Sequence, residues 1–114
     1  MARPYIGGTN GGIKVVSSAT TLQLADSGKT IFLDGSAANV LTLPAVSKGY
    51  ELKVILTATG AAPTILTDSS ANVMVGTVLS ATNDAAQAIQ SDADADTITF
   101  VNGAAPGDYC DLVC

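Results

Sequence analysis

A chain of 114 residues, 47% hydrophobic and only 13% charged with a net charge of −5, has the length of one domain and can bury about two thirds of the surface its unfolded form exposes. The apolar share is mostly Ala, Val and Leu, with five aromatics and no Trp. Such a thin core and weakly charged surface fit a subunit that completes its burial against a partner. All five Lys and Arg lie within residues 1–53, a surplus too small to neutralise many phosphates, which argues against nucleic acid as a partner. No run approaches the roughly 20 apolar residues of a membrane span.

In chain order, residues 1–12 form an extended N-terminal arm. They hold four Gly, with Arg3, Pro4, Tyr5 and Ile6 and nothing periodic. Two readings stand: a disordered terminus, or a segment that orders on a partner, with Pro4, Tyr5 and Ile6 inserting and Arg3 pairing with a carboxylate. The second is preferred because Tyr and Ile gain nothing in a solvated tail. Residues after 53 carry seven Asp and no base, so the basic end either docks on an acidic protein surface or is one of two solvated faces of opposite sign. No apolar block near the N-terminus is long enough for a signal peptide.

Residues 13–114 read as a single β domain. Strands are predicted at 13–16, 20–24, 29–33 and 39–43, punctuated by Asp26-Ser27-Gly28 and Asp34-Gly35-Ser36 and closed by Pro44. The clearest alternation is at 50–58, where Tyr50, Leu52, Val54 and Leu56 share one face. Further strands follow at 64–67, 73–79, 97–101 and 109–113. Gly76 marks a bulge or a close backbone approach, and 80–91, rich in Ala and Gln, reads as a loop. The natural architecture for about 8–9 such short strands is a compact antiparallel β-sandwich or barrel.

Several patterns point toward chemistry and fail on inspection. Ser27-Gly28-Lys29-Thr30 looks like the end of a phosphate loop, but Gln23 stands where that motif needs glycine and no helix pattern follows. Asp92, Asp94 and Asp96 share a face and could offer oxygens to a cation, yet they lack the calcium-loop glycine and glutamate, so a solvated acidic edge is preferred. The chain has no His and its two Cys, Cys110 and Cys114, fall about 13 Å apart on a strand, beyond disulfide reach, so they read as reduced core residues. No nucleophile and base pair can be assembled; no enzyme activity and no cofactor is expected.

The stretch LADSGKTIFLDGSAANVLTLPAVSKGYELKVIL, followed by ANVMVGTVL and DTITFVNGAAPGDYCDLVC, resembles small capsid decoration, or cement, proteins of tailed bacteriophages of the marine and cyanophage type. The likeness runs from Leu22 to Cys114 and rests on the order of its motifs, each of which alone is β-turn chemistry. It implies a structural virion protein on the capsid outer surface, bound to the major capsid protein at three-fold positions as a homotrimer and stabilising the shell. The arm lies outside the matched part; by inference Arg3, Pro4, Tyr5, Ile6 and Lys14 contact the capsid. The alternative is a tail-fibre or head-fibre adhesin module that binds a host surface receptor.

Overall fold

Where apolar residues alternate along the chain, strands form and their buried members meet in one core. The computed structural model describes residues 12–82, 85–90, 95–101 and 104–114, with the backbone alone for 77–90. The strands are β1 (Ile13–Val16), β2 (Thr20–Thr21), β3 (Thr30–Leu33), β4 (Val40–Thr42), β5 (Glu51–Leu56), β6 (Thr64–Leu66), β7 (Thr77–Thr82), β8 (Ala85–Gln90), β9 (Thr97–Thr99) and β10 (Tyr109–Val113). Among the described residues a single 3-10 turn, Leu24–Asp26, interrupts them. In β5 the alternation is plain: Leu52, Val54 and Leu56 are buried, while Glu51 is exposed and Lys53 and Ile55 are half-buried.

Two four-stranded sheets result, sheet A in the order β1-β3-β5-β10 and sheet B in the order β2-β4-β6-β9, with β7 and β8 pairing apart from both. Successive strands from β1 to β6 alternate between the sheets. Both sheets supply the same core, Val16, Ile31, Leu33, Leu52, Val54 and Leu56 from one and Leu41 and Ile65 from the other, joined by Leu22, Tyr50 and Phe100.

This winding corrects the antiparallel arrangement predicted from the sequence. β1, β3 and β5 run parallel, as do β2, β4 and β6. Among the described residues only β9, β10 and the β7–β8 pair are antiparallel. The turns at Asp26 and Asp34 are the reason, because they act as corners that send the chain to the opposite sheet instead of folding it back as a hairpin. At the second corner Asp34 accepts the Ser36 N–H at 2.8 Å and its carbonyl accepts the Asn39 amide at 2.9 Å. Corners also stack: the Gly35 carbonyl accepts the Ala61 N–H at 2.9 Å. A side chain at Gly35 would collide with the Ala58 carbonyl and come within 2.7 Å of Leu56 Cδ1, so only glycine lets these two corners approach.

Three local expectations also change. The strand predicted at 20–24 ends at Thr21, and the chain turns so that Leu22 is buried while Leu24 is exposed. The loop predicted at 80–91 is instead largely strand, with Thr77–Thr82 and Ala85–Gln90 pairing residue for residue from Thr77 with Gln90 to Thr82 with Ala85. Ladder pairing there overrides the weak strand preference of Ala and Gln. A side chain added at Gly76 would meet open space, so crowding does not require glycine there.

Candidate functional site

Asp26 organises the corner between β2 and β3. The 3-10 turn brings its carboxylate back over its own N-terminal end, where it accepts the Gln23 N–H at 2.9 Å. Lys14 of β1 reaches it at 2.9 Å and Lys29, just before β3, at 2.8 Å. Burial works against ionisation here, but the Gln23 N–H and the Lys29 and Lys14 ammonium groups outweigh it and hold the Asp26 carboxyl well below the usual carboxylate range.

Beside this corner stands Tyr50. Burial, followed by the negative charge of Asp26, pushes its phenol up to about 12. Its hydroxyl is sealed from solvent and has no hydrogen-bond partner among the described residues. The corner is tied to the start of β5 by two further bonds, Gly28 N–H to the Glu51 carbonyl at 2.6 Å and Glu51 N–H to Ser27 Oγ at 3.2 Å. Gly28 takes φ +81°, which glycine alone accepts without strain. The end of β10 closes on the same place, with Cys114 N–H bonded to the Tyr50 carbonyl and Gly49 N–H to the Cys114 carbonyl. Segments 26–30, 49–51 and 110–114, distant in sequence, therefore converge.

The outer face of sheet A carries a second arrangement. Register places Val15 beside Phe32, Phe32 beside Ile55 and Ile55 beside Tyr109, an apolar row crossing all four strands. The next row runs Ile13, Thr30, Lys53 and Asp111. Lys53 lies 4.3 Å from the centre of the Tyr109 ring and 3.7 Å from the Asp111 carboxylate, covering part of the face. A groove of about 230 Å³ lies between residues 43–47, 67–75 and the end of β10, lined by Pro44, Val46, Met74, Val75 and Val113 among others. It is smaller than the roughly 300–1,000 Å³ of ordinary small-molecule sites.

Of the capsid contacts inferred from the sequence, Arg3, Pro4, Tyr5 and Ile6 lie outside the described residues. Lys14 lies on the inner register row with Ile31, Val54 and Cys110, and its ammonium is engaged by Asp26. Asp92 and Asp94 are likewise outside the described residues, while Asp96 accepts a bond from the Thr97 hydroxyl at 2.8 Å. Among the described residues no three His, Cys, Asp or Glu side chains gather as a metal site, and no helix is long and apolar enough to cross a membrane.

Cys110 packs against the core as predicted, and burial raises its thiol to about 11, but Cys114 is exposed. The sequence reading missed Val15, Phe32, Ile55 and Tyr109 as a set. Ile55 alone signalled it, an apolar residue on the face of β5 opposite the core. Compared with known protein families, curated proteins and solved structures, the chain finds no match.

Proposed function

We propose that this protein is a capsid decoration protein of a tailed bacteriophage, bound to the major capsid protein on the outside of the head at three-fold positions as a trimer. The reading is carried by one observation. The motifs behind the resemblance, ADSGKT at residues 25–30, the Gly-Tyr pair at 49–50 and the closing strand, are joined in space by hydrogen bonds at the Asp26 corner. They meet there because β3, β5 and β10 are neighbours in sheet A. In this reading the two sheets face each other as a sandwich, and residues 1–12 extend from the beginning of β1 as an arm toward the capsid.

Such a protein acts through binding alone. Pressure from the packaged genome pulls neighbouring capsomers apart, and a ligand that binds only the intact shell stabilises it by mass action. Many weak sites engaged together give retention that no single contact provides. The arm supplies the apolar anchors Pro4, Tyr5 and Ile6 and the cation Arg3, while the folded domain holds its last residue in place through the Thr30 N–H bonded to the Gly12 carbonyl at 2.9 Å. The test is the temperature at which DNA-filled capsids, stripped of the protein, release their genome. Saturation with purified protein should raise it by several degrees, and no change would contradict the proposal.

A further inference from the structure

Two hollows meet at the end of β10. One, of about 290 Å³, lies on the outer face of sheet A between Thr30, Glu51, Lys53, Asp111 and Val113. The other is the groove of about 230 Å³ described above, and Asp111, Leu112 and Val113 line both. The groove gathers four exposed apolar side chains, Val46, Val73, Val75 and Val113, a concentration that marks a contact surface. Among the described residues no Lys or Arg lines it. Of its two carboxylates, Asp111 is paired with Lys53, whereas the exposed Asp68 forms no ion pair among the described residues.

The chain ahead of β1 joins the domain at the first hollow. The Gly12 carbonyl accepts the Thr30 N–H, and a side chain at Gly12 would lie 3.8 Å from Lys29 Cγ; Lys29 and Thr30 both line that hollow. Gly12 takes φ +149° and Gly11 precedes it, so the backbone is free to turn across the sheet there. From β1 to β10 is three strand spacings, about 14 Å. The seven residues from Tyr5 to Gly11 span up to about 23 Å, enough to cross the first hollow and enter the groove. Pro4, Tyr5 and Ile6 form an apolar cluster in this arm, and Arg3 is its one charged side chain.

We infer that, in the protein free of partners, the arm folds back across the start of sheet A and seats Tyr5 and Ile6 in the groove of its own chain, with Arg3 beside Asp68. The occupant is the chain's own arm because a short tether presents it to the groove at a far higher effective concentration than a second copy reaches. Ordering the arm costs backbone entropy at each residue, so the contact opens locally on warming, before the domain melts, and adds little to its melting temperature. In the capsid reading the same side chains leave the groove for the shell. The inference rests on where the arm starts and not on that reading. Measured without capsids, its failure leaves capsid binding standing, and a failure of capsid binding leaves this contact standing.

Methyl NMR on the full chain, well below its melting temperature, tests it. Nuclear Overhauser contacts should run from the Tyr5 ring to the methyl groups of Met74 and Val113, equally strong in dilute and concentrated samples. Deleting residues 1–11 should shift both methyl signals. Tyr5→Ala combined with Ile6→Ala changes only residues ahead of the folded domain and should move those signals to where the deletion places them, with the docking constant lowered more than about tenfold. Tyr5 contacts that arise only between differently labelled copies in a mixed sample would give the groove to a second copy and overturn the inference. Methyl signals unmoved by the deletion and the double variant, or the absence of any contact from Tyr5, would overturn it as well.

Discussion

At Asp26 a nearly buried carboxylate receives one backbone N–H and two ammonium groups. Its folded pKa is depressed, so its contribution to stability is complete above the unfolded value of about 4 and is lost as the pH falls through the folded one. Asp26→Asn should cost about 2 kcal/mol at neutral pH, the range for hydrogen bonds to a charged group, since the two lysines retain some solvent and are not stranded. Urea melts should show that gap narrowing below about pH 4; equal midpoints at pH 7 would contradict the role given to the carboxylate. Tyr50 has the opposite sign. Its raised pKa means that its contribution is present below about pH 10 and is lost as the pH rises toward about 12. Tyr50→Phe removes a buried hydroxyl without a partner among the described residues and should gain about 1 kcal/mol at pH 7, more in alkali, in the same melts. A loss of stability would mean that the hydroxyl has a partner. The turn chemistry of Asp26-Ser27-Gly28 was legible in the sequence, but the burial of Asp26 was not, because Lys14 reaches it from another strand and Lys29 belonged to a rejected phosphate motif.

Among the elements, nearly every strand from 13 to 66 could be located from alternation and turn residues, with ends displaced by a few positions. Their direction could not. Corner turns and hairpin turns use the same Asp, Ser and Gly, and only the pairing of β1 with β3 and of β2 with β4 separates them. A wound chain could betray itself by a repeat, but Ile13 pairs with Thr30, Thr30 with Lys53, Thr20 with Leu41 and Leu41 with Ile65, steps of unequal length that leave no period. The pairing of β7 with β8 was hidden for another reason, since Ala and Gln carry little strand preference. The arm is the element on which the capsid contact depends in the proposed reading. Deleting residues 1–11 spares Gly12, whose carbonyl receives the Thr30 N–H. The deletion should lower capsid occupancy severalfold while leaving the melting temperature of the domain within about 2 °C. Undiminished binding would move the contact to the folded domain.

For the whole molecule, the sequence carries low charge, a small core and a sign asymmetry, and the structure adds where these fall. Ile13, Val15, Tyr109 and Val113 stay exposed at the two ends of one sheet. The thin core is explained by short strands, with the longest in either four-stranded sheet being the six residues of β5. The low charge and small core were legible from composition, whereas the place of these exposed side chains required the register of four strands. The measurement that tests the central claim most directly is co-sedimentation of the purified protein with capsids of its phage stripped of it, with bound copies counted by quantitative mass spectrometry. The account predicts saturation at a copy number in proportion to the three-fold positions of the shell, on the order of hundreds per particle, held together by avidity. Saturation at a handful of copies, as for a fibre or adhesin module, or no binding at all, would contradict it.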